Sequence, residues 1–347
     1  MLAMALVLGM TVIGCGKGSK ADGKTASDSS KTAESGGSDS GGKTAESGKT
    51  ADSKTSASGD WTAVDVSGIF KDNDIYAIAF GKDRFVAGGG DGKMAWSPDG
   101  VKWTAVDVSS IFTYSIIAIA YGNGTFVAGA SRGQMAYSSD GVKWTALDVN
   151  DVTKTLGSND IFSIAYGKDK FVAIGLANSR ITAYSPDGKT WTGLGQYNAT
   201  EPIAYGDGKF VAVGGWGHTM AYSSDGVKWD DTAEIPWGFD IKAIAYGKDK
   251  FVAVGTSGKM AWSSDGVTWT IIDVNGIFRK DPINVIAYGN GKFVAVGRFG
   301  SMAYSSDGVT WADVNDSTLW ENCAIAYGKD KFVAGGPQGK MAYSTGK

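Results

Sequence analysis

The feature that most constrains this chain is a repeat cut in two. A Phe-Val-Ala unit recurs at Phe85, Phe126, Phe171, Phe210, Phe251, Phe293 and Phe332, at spacings of 41, 45, 39, 41, 42 and 39 residues. A Trp opens the last segment of six of these units, at Trp103, Trp144, Trp191, Trp229, Trp269 and Trp311. The seventh such Trp lies ahead of the first unit, in Asp60-Trp61-Thr62-Ala63-Val64, and the final unit ends in its third segment, Met341-Ala342-Tyr343-Ser344. In an open stack each unit meets only its neighbours, and the shift would gain nothing. In a ring it lets the leading strand complete the last sheet, so that no unpaired sheet end remains.

Residues 241–273 show what a unit contains. Ile241-Lys242-Ala243-Ile244-Ala245-Tyr246, Phe251-Val252-Ala253-Val254, Met260-Ala261-Trp262-Ser263 and Thr268-Trp269-Thr270-Ile271-Ile272 are short runs rich in β-branched and aromatic residues. Turn sequences such as Gly247-Lys248-Asp249 and Ser264-Asp265-Gly266 separate them, as in hairpins. No segment repeats its apolar residues every 3.6 positions. A period of about 40–45 residues with four strands per unit is that of propeller blades. The pattern predicts an all-β, seven-bladed β-propeller over residues 60–347, with four antiparallel strands per blade and closure by residues 60–66 completing the last blade.

Charge and motif content narrow the chemistry. Thirty-three Lys and Arg against 36 Asp and Glu give a net charge of −3, with no electrostatic footprint for nucleic acid. The one histidine, His218, argues against a His-rich metal site or a Ser/Cys–His pair. The chain has no P-loop, dinucleotide fingerprint, EF-hand loop or zinc spacing, and the Ser-x-Asp-Gly turns lack the ligand density of a calcium loop. No cofactor and no metal are expected, and the domain is read as monomeric and non-enzymatic.

The N-terminus is read as an address and a tether. Residues 1–14 are uncharged and mostly apolar, too short to span a bilayer but suited to a signal peptide. They end in Val12-Ile13-Gly14-Cys15, which resembles a bacterial lipobox, although the basic residues usual before the apolar stretch are missing. That resemblance implies lipidation at Cys15 and a lipid anchor in the bacterial cell envelope, on the outer-membrane surface or a periplasm-facing membrane. With Cys323 the only other cysteine, an acylated Cys15 leaves no intrachain disulfide. Residues 16–59 have no Val, Ile, Leu or aromatic, and seven lysines balance six acids. With the lipidated cysteine they form a tether, 15–59, expected to be disordered, with an r.m.s. span of roughly 35–40 Å.

Ser97-Pro98-Asp99-Gly100-Val101-Lys102-Trp103 and its five counterparts, at 138–144, 185–191, 223–229, 263–269 and 305–311, resemble the Asp-box, or BNR, repeat. That repeat occurs in propellers of the sialidase, sortilin and photosystem II assembly-factor types; here it has one residue fewer than usual between Asp and Gly. Its chemistry is that of a turn: the carboxylate accepts backbone N–H bonds, the Gly takes φ > 0, and the Trp packs on a sheet. Six such Asp residues spread around a ring cannot serve one reaction centre.

Comparing the units locates the irregular residues. The first-to-second and third-to-fourth turns barely vary, whereas the second-to-third turns and inter-blade loops differ widely and share the opposite face, the usual place for function. Trp216, Trp237 and Trp320 have no role in the repeat and fall in these variable loops, with His218 beside Trp216. They suit an aromatic platform for a sugar ring or a protein partner. Arg132, Arg180, Arg279 and Arg298 fall on the same face, with Phe299 next to the last, and guanidinium groups recognise carboxylates. At the channel mouth the units place Tyr76, Ile117, Ser163, Glu201, Lys242, Asn284 and Cys323. Phe70, Phe112 and Phe278, in the inter-blade loops, are read as packing residues.

The resulting expectation is a membrane-anchored, non-catalytic lipoprotein that binds a glycan or protein on its variable face. One alternative is a sialidase-like glycoside hydrolase, which the box resemblance implies. Such enzymes need three arginines on one substrate carboxylate and a Tyr/Glu nucleophile pair, neither of which stands out here, and their propellers have six blades. A second alternative is an assembly or scaffold factor of the cell envelope.

Overall fold

A computed structural model describes residues 61–148, 160–176, 180–196, 200–213, 220–231, 240–314 and 324–345. Among them, 28 strands form seven four-stranded antiparallel sheets, the blades of a β-propeller. The unit read from residues 241–273 becomes strands Ile241–Gly247, Lys250–Gly255, Met260–Ser263 and Thr270–Ile272. The first strand of each blade packs beside those of both neighbouring blades, and Ala324–Gly328 beside Ile75–Gly81 closes the ring. The last sheet is the composite one: Trp61–Val64 pairs antiparallel with Met341–Ser344, placing Trp61 opposite Ser344 and Val64 opposite Met341.

The core lies in layers between adjacent blades. Along the first strand of blade 1, Ala77 and Ala79 pack with Ile116, Ile119 and Phe126 of blade 2, while Ile75 and Ile78 pack with Ala324, Ala326 and Val333 of blade 7. Alternation from Ala77 to Ala79 sends the small residues to one neighbour and Ile78 to the other, and the register shift between Ile75 and Ala77 brings Ile75 to the same side as Ile78. Glycine closes the fit where each first strand ends. A Cβ built on Gly122 would lie 1.9 Å from the ring of Tyr166 in the next blade, and Gly328 stands in the same relation to Phe80 across the closure.

Two local features position the variable face. Short helices, α1 (Ser67–Phe70) and α2 (Asn275–Phe278), occupy inter-blade loops where no helix was expected. Phe70, Phe112 and Phe278 are fully buried beneath these loops, as packing residues. Six of the seven described first strands also carry a register shift near their start. In the third blade the shift falls between Ile161 and Ser163, so Phe162, not Ser163, corresponds to Tyr76, Ile117, Lys242 and Asn284. The sequence reading was one residue out because Ser163 stands where Ala77, Ala118 and Ala243 open the Ala-Ile-Ala motif. Ser163 is buried and its hydroxyl accepts the N–H of Ile203.

Candidate functional site

The two faces divide the work between stability and display. On the uniform face, each Ser-x-Asp-Gly turn makes the same bonds. The Asp Oδ1 accepts the backbone N–H groups two and three residues on at 2.7–2.9 Å. The Ser hydroxyl donates to that oxygen and accepts the Gly N–H at 2.8 Å. The Gly sits at φ 71–77° against a Val of the preceding blade, such as Gly141 on Val86. The Trp rests over its own blade's Phe, with Trp103 and Phe85 ring centres 6.5 Å apart.

These turns also join blades. Lys82 Nζ donates to Ser139 O at 2.9 Å, Lys168 Nζ to Ser224 O at 2.9 Å and Lys209 Nζ to Asp265 O at 3.0 Å. All six box carboxyls have lowered pKa values. For Asp307, burial disfavours the charge, but the N–H groups of Thr310 and Val309 outweigh it and bring the value to about 2. These carboxylates hold turns together at six separate places and form no common centre.

The opposite face carries the residues that differ from blade to blade. Five second-to-third turns, Gly90–Gly92, Ser131–Gly133, Thr256–Gly258, Arg298–Gly300 and Pro337–Gly339, hold their middle residue in the left-handed region, at φ 51–59°. Those middle residues are Asp91, Arg132, Ser257, Phe299 and Gln338, all exposed and all different. A non-glycine residue there costs roughly 1 kcal/mol or more, and for a bulky one such as Phe it is a genuine outlier. The surroundings hold the conformation: the N–H of Arg132 donates to Asp160 Oδ1 at 2.8 Å, and that of Gln338 to Asp74 Oδ1 at 3.0 Å. Phe299 is 76% exposed, with the Arg298 guanidinium 5.0 Å from its ring centre. The Arg132 guanidinium lies 4.4 Å from the ring centre of Tyr114 and donates to its hydroxyl at 2.9 Å.

The sequence candidates fare unequally. Trp216, His218, Trp237, Trp320 and Cys323 lie outside the described residues, as do Cys15 and the tether. Arg180 begins a third strand, Arg180–Ser185, opposite Leu176, rather than lying in the turn itself. Arg132, Arg298 and Phe299 are on the face assigned to them, but in blades 2 and 6. Sequence comparison missed Tyr114, which carries the Arg132 side chain. It also missed that the residue before each turn glycine adopts one strained conformation whatever its identity. The recurring X-Gly between second and third strands was the available signal. At the channel mouth, burial, followed by the charges of Asp74 and Asp91, pushes the Tyr76 hydroxyl up to about 12. That hydroxyl donates to Asp74 Oδ2 at 3.3 Å.

The model of the DUF6242 beta propeller domain family matches residues 41–234, more than half of the chain. No curated protein matches it in sequence. Among solved structures, YCF48 from Cyanidioschyzon merolae is similar over 82% of this chain and 98% of its own, at 15% identity and a TM-score of 0.63. A structure of YCF48 bound to D1 peptide aligns over 82% of this chain and 94% of its own, at 16% identity and a TM-score of 0.64. A streptogramin B lyase aligns over 82% and 96%, at 12% identity and a TM-score of 0.67. Likeness at such identities establishes the fold alone.

Proposed function

The chain belongs to the DUF6242 β-propeller domain family, and from such a frame, which leaves function to its loops, we propose that it is a non-catalytic binding protein of the bacterial cell envelope. Its variable face takes a polypeptide ligand, and Cys15 and the tether through residue 59 hold it to a membrane. One observation carries the binding role: the middle residue of five second-to-third turns is exposed and differs each time, as Asp91, Arg132, Ser257, Phe299 and Gln338, whereas the left-handed residues of the first-to-second turns on the other face are only Lys, Asp, Asn or Gly.

A polypeptide is favoured over a glycan because the described exposed aromatics of this face, Tyr114 and Phe299, are each covered on one side by an arginine. YCF48, a propeller of similar shape, has been captured with a peptide. The spread of Arg132, Arg180 and Arg298 over blades 2, 3 and 6 supports binding over a sialidase-like hydrolase, which needs its arginines on one carboxylate.

Peptide display against the full chain tests the reading, with a variant carrying Gly at positions 91, 132, 257, 299 and 338 as comparison. The expected result is a peptide pool retained by the wild type and lost by the folded variant. Equal retention by both would refute the binding role of this face. The anchor is tested separately: Cys15→Ala should move the protein from the membrane to the soluble fraction.

A further inference from the structure

The variable face is polarised, and the polarity identifies its ligand. The loop from blade 5 to blade 6 forms a strap, residues 279–282, that bridges two left-handed turns. At one end a Cβ on Gly258 would lie 2.8 Å from the carbonyl of Arg279; at the other, the N–H of Arg298 donates to Pro282 O at 2.9 Å. Arg279 is itself at φ 56°, so the backbone is strained here twice within one corner. Arg279, Lys280, Arg298 and Phe299 are all exposed along this strap, with Asp281 the only acid between 279 and 300 in it or the turn it reaches. The matching strap between blades 7 and 1, residues 71–74, has the opposite sign: Asp72 and Asp74 against Lys71, with Asp91 in the adjoining turn.

Resting on the binding role proposed above, the geometry points to the blade 5–6 corner as the docking site for an acidic polypeptide segment bearing one large apolar side chain. Two cations on a short strap and a third in the turn it reaches match carboxylates spaced along an extended chain, and guanidinium groups bind carboxylates through paired N–H donors. The phenyl of Phe299, with the Arg298 guanidinium 5.0 Å from its ring centre, gives that segment an apolar anchor beside a cation. A nucleic acid would call for a broad basic stripe, and the chain as a whole carries a net charge of −3.

Random dodecapeptides displayed against the full chain, followed by anisotropy of the enriched peptide, test this assignment. The enriched pool is expected to be net acidic with one large apolar residue. Its affinity should fall at least tenfold for Phe299→Asn and for the pair Arg279→Glu/Lys280→Glu, and fall steeply between 50 and 300 mM salt. Phe299→Asn should melt no lower than wild type, since Asn tolerates the left-handed region, which separates lost binding from lost folding. A pool without acidic bias, or one that binds Phe299→Asn as wild type, overturns the inference. If such a pool is still weakened by Arg132→Glu or Gln338→Lys, the binding role of the face stands without it. An absence of enriched peptides, or a pool weakened only by Thr125→Lys on the uniform face, defeats both. Salt-sensitive self-association that Phe299→Asn abolishes would make the occupant a second copy, and overturns the inference as well. A sulfated glycan that binds more tightly than any enriched peptide would do the same.

Discussion

Acid should loosen the ring at its box turns before it reaches the layers between blades. Each of the six box carboxyls has a folded-state pKa below the usual 3.8. Their contribution is therefore complete above pH 3.8 and disappears as the pH falls toward the folded value, which for Asp307 is about 2. That depression corresponds to about 2.4 kcal/mol without screening; the group is partly solvated, so about 1 kcal/mol is the realistic figure. The other five box carboxyls shift in the same direction, so thermal unfolding of the full chain should show Tm falling between pH 5 and pH 2.5. Asp307→Asn isolates one turn, because its amide oxygen accepts the same N–H bonds without the charge. It should lower stability by about 1 kcal/mol at pH 7 and by almost nothing at pH 2. A Tm flat across this range, or an Asp307→Asn penalty equal at both pH values, would refute the reasoning.

Three further perturbations probe the frame. Trp61→Ala removes a side chain only 7% exposed from the closing strand and should cost about 3–5 kcal/mol in urea unfolding; a loss under 1 kcal/mol would argue against closure by this strand. Gly122→Ala drives a Cβ to within 1.9 Å of the Tyr166 ring and should cost about 3 kcal/mol or more, with a wild-type melt as the contrary result. Lys248 and Asp249 both sit at positive φ in a first-to-second turn, so replacing them with Asn-Gly should stabilise by about 1 kcal/mol. A lower midpoint in denaturant would contradict that assignment.

The ring was legible because its determinants are local and repeated. Phe-Val-Ala, Ala-Ile-Ala and Ser-x-Asp-Gly each recur at fixed offsets, and the displaced Trp61 marks where the circle joins. Alternation could not reveal the bulges, since an extra residue at Phe162 leaves the apolar pattern intact on either side. The site was less legible. Arg298 and Phe299 stood out by type, but their significance lies in a backbone conformation that sequence does not display: Asp91, Arg132, Ser257, Phe299 and Gln338 have no chemistry in common. Arg279 stood out with them only as another arginine of this face, and Lys280 was passed over. They become neighbours of Phe299 only through the contact between Pro282 and Arg298, made across an inter-blade loop.

The most direct measurement is hydrogen–deuterium exchange of the full chain, free and saturated with a peptide selected by display. If the variable face is where this propeller acts, slowed exchange should concentrate in residues 256–258, 279–282 and 297–301. Protection confined to the Ser-x-Asp-Gly turns and the first-to-second hairpins would place binding on the wrong side of the disc and contradict the account.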